Sequence, residues 1–246
     1  MSRRRADRVS AILSRISADG VIDAGALAEE FGVSAATIRR DLQSLEDQQL
    51  VSRTHGGAVA GDASAELPVR YRVGQRREEK ALIARHAFTL LPHGPLTIGL
   101  TGGTTTHLLA RLLATRVDLT VVTNAVNIAA ELALRPRLKL IMTGGVTRTQ
   151  SYELVGPIAD RTLAGLNMQI AVVGVDGVTA RGGLSTHDDI EAHTNATMLH
   201  RADRVMVVDF GVPVATGTPA EVQNHPDVLR AYLGESQPVE PKKVGA

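Results

Sequence analysis

Apolar positions recur with two different periods along this chain. Between residues 7 and 57 they are spaced for short helices and a hairpin. Leu27 and Phe31 fall at i, i+4, and Gly32 follows them, a residue able to take the positive φ that ends a helix. After Val33, Ser34 can cap a second helix on which Ile38, Leu42 and Leu45 line one face at i, i+4, i+7. Residues 50–54, then His55-Gly56-Gly57, then Ala58-Val59 read as a β-ribbon around a Gly-Gly turn. Residues 75–91 predict a further helix, with Ile83, Ala87 and Leu90 on a face that Ala84, Phe88 and Leu91 widen. From residue 95 onward the period changes. Short apolar runs at 96–100, 119–123, 138–142, 170–175 and 204–209 alternate with helical stretches. That alternation predicts βαβ units around a mostly parallel sheet.

The fold class is therefore α/β: an N-terminal winged helix-turn-helix followed by a mostly parallel-sheet α/β domain. The expected bounds are 1–60 for the first domain, 61–74 for a linker suggested by the small and polar residues of 58–66, and 75–209 for the α/β domain. Residues 210–246 form a separate C-terminal segment, and its end, rich in Pro and charge, is expected to be loose.

Composition narrows the function. The apolar fraction is 43% and the charged fraction 22%, which excludes a disordered chain. No apolar run has the length of a membrane span, and no apolar stretch follows the basic start Met-Ser-Arg-Arg-Arg, so neither a membrane partner nor a secretory signal is expected. There is no cysteine, hence no disulfide framework, thiolate metal site or cysteine nucleophile, and a cytoplasmic address is the expectation. With three Tyr, three Phe and no Trp, stacking on single-stranded nucleic acid is a poor fit. Residues 1–60 carry eight Arg against eight Asp and Glu, so only local arrangement, not net charge, can announce a nucleic-acid partner.

That arrangement exists on the second helix. Its outer face carries Ala35, Ala36, Arg39, Arg40 and Gln43. Small residues let a helix approach base edges, and guanidinium groups reach phosphates or guanine. Candidate DNA contacts are Ser34, Ala35, Ala36, Thr37, Arg39, Arg40 and Gln43, joined by Arg53, His55 and Gly56 on the wing. A plain helical bundle whose Arg pair is a solvated face fits the same pattern.

A second constellation lies in the α/β domain. The run 96–100 enters Thr101-Gly102-Gly103-Thr104-Thr105-Thr106 and then a helix. A strand, a Gly-rich loop and a helix start form an anion cradle, because unpaired N–H groups point at the ligand. The loop has no Lys and so is not a nucleotide P-loop, and its Gly spacing is not the dinucleotide fingerprint. Asn124, Gly144-Gly145 and Asp176-Gly177 follow other strands, where a parallel sheet places its ligands. Candidate effector contacts are Gly102, Gly103, Thr104, Thr105, Thr106, Asn124, Gly144, Gly145, Asp176 and Gly177. A capped helix start with a convenient turn would look alike. The Thr-His-Asp-Asp-Ile-Glu-Ala-His run at 186–193 offers metal ligands, but its His/carboxylate pairs fall on different helix faces, and Asp188 and Asp189 fit helix capping. No metal, cofactor or catalytic residue is expected.

Arg8, Ile12, the Ser34 and Thr37-Ile-Arg-Arg-Asp-Leu positions and the downstream Arg53-Thr-His-Gly-Gly-Ala together resemble the N-terminal domain of the DeoR/GlpR family of bacterial transcriptional regulators. Glu79-Lys80, Gly102-Gly-Thr-Thr-Thr, Val122-Thr-Asn, Thr143-Gly-Gly, Val155-Gly-Pro and Val173-Gly-Val-Asp-Gly are similar to its effector domain, itself like sugar-phosphate isomerases. The resemblance covers residues 6–209. It implies a repressor of carbohydrate genes that binds a double-stranded DNA operator, responds to a phosphorylated sugar and assembles as a homo-oligomer. Asp41, a carboxylate that would repel phosphate, is expected to pair with a nearby Arg.

The chain departs from the family after Asp209, where the resemblance would put a Ser and a Lys near the effector; no Lys lies between 139 and 242. Residues beyond 210 instead resemble the C-terminal end of branched-chain amino-acid ABC-transporter ATPases, although the chain has neither of the ATPase motifs. A hybrid reading frame or divergence would each explain this, and lost strands would leave an open sheet edge. A sugar-phosphate isomerase is the alternative function, with Asp176 as base, but the Lys it would need is missing.

Overall fold

The computed structural model describes residues 3–61, 66–179, 183–209, 212–218 and 221. Contacts divide the chain into two units, Met1–Arg77 and Glu78–Ala246.

The first unit opens with α1 (Arg3–Asp19), which turns Val9, Ile12, Leu13 and Ile16 inward. After β1 (Val21–Asp23), Asp23 caps α2 (Ala24–Glu30) by accepting from Ala26 N–H at 2.8 Å. Gly32, at φ 60°, makes the turn into α3 (Ala35–Glu46). Ile38, Leu42 and Leu45 of α3 are buried at 1% exposure or less, as their spacing predicts. β2 (Val51–Arg53) and β3 (Gly57–Ala60) form the expected ribbon, but β1 adds to its far side, giving the order β1-β3-β2. Three residues are too few to show alternation, so β1 leaves no mark in the sequence. The Gly-Gly turn also has a different cause from the one expected. Neither glycine takes a positive φ; instead a Cβ at Gly57 would lie 1.7 Å from the Ile22 carbonyl oxygen. The expected linker carries α4 (Val69–Arg72), and its Tyr71 packs into the first unit's core.

The second unit begins with α5 (Arg77–Thr89), which buries Ile83, Ala84 and Ala87. Leu90 lies past its end and is exposed, because the expected helix stops early. The sheet is built from β4 (Leu96–Leu100), β5 (Leu119–Thr123), β6 (Leu138–Met142), β9 (Met168–Val173) and β12 (Ala202–Asp209), all parallel. The order is β13-β12-β9-β4-β5-β6, where β13 (Val212–Gly217) is antiparallel. The first three predicted strands sit where the apolar runs place them. The last two begin two residues earlier, because Met168 and Ala202 already pair in register.

Helices cover both faces, so the central strands are mostly apolar, with polar residues such as Gln169 and Arg204 near their starts. Ile98, Val121 and Val172 pack with α5, α6 (Thr104–Leu113) and α7 (Val126–Leu132). Val122 and Ala171 pack the other way, with Leu163 of α8 (Pro157–Ala164) and Met198 of α9 (Asp189–His200). Two hairpins complete the unit: β7 (Val146–Arg148) with β8 (Glu153–Val155), and β10 (Gly177–Thr179) with β11 (Gly183–Ser185).

The open edge expected on β12 is not there. β13 pairs along it from Val205 to Asp209, with a bulge between Val207 and Val208, and Pro213 stands opposite Val208 beside that bulge. A proline is tolerated at an outermost strand because its missing N–H costs no interior ladder bond. Residues 210, 211, 219, 220 and 222–246 of the predicted tail lie outside the described residues. No described helix is long and apolar enough to cross a membrane.

Candidate functional site

The first unit holds a helix ready to be read against a groove. Ser34 Oγ accepts from Thr37 N–H at 3.2 Å and lies 3.0 Å from the Thr37 hydroxyl, so the two side chains fix the start of α3 together. Arg39 and Arg40 are exposed, and among the described residues neither is ion-paired. Gln43 is also exposed but not idle. Its Oε1 accepts from Arg53 of the wing, and its Nε2 donates to Asp47 at 2.9 Å. Arg53 adds its own backbone N–H to Glu46 at 3.1 Å, with its guanidinium 3.7 Å from the same carboxylate. The wing is thus tied to the last turn of α3 through side chains that were read as DNA contacts. His55 and Gly56 are exposed at the wing tip.

Asp41 sits on the same helix and is 2% exposed. Arg5 Nε donates to Oδ1 at 2.8 Å, and Arg8 holds Oδ2 at 2.7 Å. Two guanidiniums from α1 therefore neutralise the carboxylate and clamp α3. Arg5 carries no sequence pattern that would mark it. Arg8 is marked only by the resemblance.

In the second unit, β5 and β6 lie to one side of β4, and β9 and β12 to the other. The crossover direction reverses between β4 and β9, and such a switch point opens the crevice where parallel sheets bind ligands. The loop 101–106 leaves β4 at this point. Thr101 N–H donates to the Val172 carbonyl at 3.2 Å, and Gly174 N–H reaches Thr101 Oγ1 at 3.4 Å, so the loops after β4 and β9 meet. Gly103, at φ 122°, needs glycine's freedom and turns the chain into α6. The opening N–H groups of α6 have no acceptor within the helix. Thr106 Oγ1 donates to the Gly102 carbonyl at 2.9 Å, so this hydroxyl braces the loop instead of facing a ligand.

The sequence reading missed the group at the centre of this site. Glu153, 2% exposed on β8, accepts from Gly102 N–H and from the amides of Asn124 and Asn195 at 3.2 and 3.1 Å. Asn124 also donates to Asn195 Oδ1 at 3.1 Å. Burial pushes the Glu153 carboxyl up to about 8, with the charge of Glu191 acting in the same direction against the three hydrogen bonds. Gly102 is a glycine for this neighbour: a Cβ there would lie 2.5 Å from Glu153 Oε1. No motif flagged Glu153, whose three residues of strand offer no pattern.

The remaining predicted positions separate. Asp176 pairs with His187 Nδ1 at 2.9 Å and lies 3.2 Å from the Thr186 hydroxyl. Thr186 donates to Glu191 at 2.5 Å, which links this corner to the α9 carboxylates. Asp188 caps α9 and is held below the ordinary carboxylate range, first by the Glu191 N–H and also by Arg148. Gly144 and Gly145 take φ of 74° and 128°, and Gly145 is forced by the hairpin, since its Cβ would meet the Val155 carbonyl at 2.8 Å. A Cβ at Gly177 would lie 2.8 Å from the Ser185 hydroxyl, a side-chain atom rather than backbone. Contacts with Gly102 and Asn124 are therefore made by Glu153, Asn195 and Gly174, rather than by the 144–145 and 176–177 pairs.

A reader helix with a wing, followed by a parallel-sheet domain with a Gly-rich loop at its switch point, defines a ligand-responsive DNA-binding protein. The DeoR-like helix-turn-helix domain matches residues 8–63, and the DeoR C terminal sensor domain matches 75–209. A putative aga operon transcriptional repressor of Escherichia coli O157:H7 is 34% identical over 205 residues, 82% of this chain and 76% of that one. The glycerol-3-phosphate regulon repressor of Escherichia coli K12 is 30% identical, covering 83% and 81%. Ribose 5-phosphate isomerase A of Methanocaldococcus jannaschii aligns with 54% of this chain and 52% of its own, at 19% identity and a TM-score of 0.39. Residues 213–237 match the branched-chain amino acid ATP-binding cassette transporter description. The chain belongs to the DeoR family of transcriptional regulators.

Proposed function

We propose that the chain represses carbohydrate-metabolism genes in the cytoplasm, binding an operator through α3 and the wing and leaving it when a phosphorylated sugar occupies the 102–106 loop. The carrying observation is the exposed Arg39–Arg40 pair on a Ser34-capped helix, in one chain with a Gly-rich loop at a switch point. Ser34, Ala35, Ala36 and Thr37 approach the groove, Arg39 and Arg40 take phosphate or guanine, and Arg53 and His55 take the flanking backbone. The donors for the phosphate are the N–H groups opening α6 and the Thr104 and Thr105 hydroxyls. The Asp176 corner would meet sugar hydroxyls, while Asn124, buried with its amide engaged by Glu153 and Asn195, supports the site from beneath. The protein acts by binding and not by turnover, since Asp176 is paired with His187 and no Lys stands in the later loops. A homo-oligomer would match an operator of repeated half-sites.

Anisotropy with the DNA upstream of its own gene, titrated with salt and with a panel of sugar phosphates, tests this. Expected is specific binding that falls steeply with salt and is released by one member of the panel. Specific binding that no sugar phosphate alters would remove the sensing half of the proposal.

A further inference from the structure

Beneath the Gly-rich loop lies an anion of the protein's own. Glu153 is buried, and Gly102 N–H, the first donor of the loop, already points at its Oε1. The following N–H groups, those opening α6, are the donors read above as the phosphate site. The carboxyl and the phosphate would thus draw on consecutive donors of one loop, whose Glu153 side is buried. Like charges so placed disfavour one another, and a carboxylate escapes the conflict by taking a proton.

The charged groups around Glu153 leave it that escape. Glu191 of α9 adds negative charge. Arg148 of β7, opposite Glu153 in the hairpin register, turns to Glu191 at 2.9 Å and Asp188 at 3.2 Å. From β5 and α9 the facing groups are the neutral amides of Asn124 and Asn195. His107, in the first turns of α6, is pushed below its ordinary value by burial, so it stays neutral above pH 7.

We propose that Glu153 couples anion binding at the 102–106 loop to proton uptake: an oxyanion settles there as the Glu153 carboxylate takes one proton from solvent, and leaves as that proton is lost. The coupling rests on the reading of this loop as the phosphate site. It makes the regulator's response to its effector weaken as the pH rises through the neutral range.

Sulfate is the suitable probe, because it stays dianionic from pH 7 to 9 and any pH dependence then belongs to the protein. Sulfate binding to the full chain is measured by thermal midpoint shift, at ionic strength matched with chloride, for the wild type and Glu153→Gln. Expected is about a fivefold loss of wild-type affinity across that range, the part of one pKa unit of coupling that falls between pH 7 and 9, and a flat profile for the variant. Calorimetry of the wild type at pH 8 in two buffers of different ionisation enthalpy gives a second reading that needs no variant, with net proton uptake expected. Sulfate binding with the same profile in both proteins and no proton uptake overturns the coupling and leaves the loop an anion site. Failure of both proteins to bind sulfate or ribose 5-phosphate at any pH overturns the phosphate site and the coupling with it.

Discussion

Asp41 and Glu153 are both buried carboxyls, and their partners give them opposite roles. Asp41 has two guanidiniums, one of them on Arg8 at 14% exposure. Asp41→Asn leaves those charges without a counterion, and we expect the first unit to lose about 2–4 kcal/mol, less than the roughly 3–5 kcal/mol of a fully buried pair because Arg5 is 38% exposed. Hydrogen exchange of the α3 amides measures it, with faster exchange expected. Glu153 has amide donors but, among the described residues, no ion-paired cation at its carboxyl, and the group is pushed up to about 8 from an ordinary value near 4.5. A raised folded-state pKa means that the folded state binds more protons than the unfolded state between those values. Stability therefore falls as pH rises from about 5 to 8. Glu153→Gln removes that dependence, so the variant should be no less stable than wild type at pH 8, and thermal unfolding at pH 5 and pH 8 would show the gap moving in its favour.

At the scale of the element, α3 is positioned by its cap, its clamp and its tie to the wing. The tie uses Gln43, Glu46 and Arg53, so DNA must compete with Glu46 for the Arg53 guanidinium. Glu46→Gln should raise affinity for non-specific DNA several-fold at low salt, with the difference shrinking as salt rises. Arg39→Ala should weaken binding and, if the contact is to phosphate, reduce the slope of log affinity against log salt by about one. Fluorescence anisotropy over a salt series reads both. A slope unchanged in the Arg39 variant would move that side chain off the phosphate.

For the whole molecule, the described part of the unusual tail acts through β13. It covers the edge of β12, and an uncovered edge is a template for aggregation. A chain ending at Asp209 should show a lower midpoint for its second unit and concentration-dependent aggregation by light scattering. If the truncated chain stays soluble and unfolds as the full one does, β13 contributes nothing to the sheet.

Local pattern carried much of the fold. Mostly apolar runs of five residues placed β4 and β5, which are covered on both faces, and the edge strand β6, whose Leu138, Leu140 and Ile141 are half-buried. The i, i+4, i+7 spacing of Ile38, Leu42 and Leu45 placed α3, and Ser34 marked its start, because caps and periodicity are properties of neighbours in sequence. The pairing of Asp41 with an Arg followed from the charge on a helix meant for phosphate. Other features depended on residues far apart in the chain. Glu153 meets Gly102 across 51 positions and Asn195 across 42. The Gly57 requirement comes from a carbonyl on β1, and β13 finds its place by pairing with β12. By itself, then, the sequence determined the parallel strands, the reader helix and the Gly-rich loop, since these follow from short-range periodicity and turn chemistry. Only the tertiary structure decided that the loop holds a buried carboxyl, because burial and hydrogen-bond partners are set where distant strands come together.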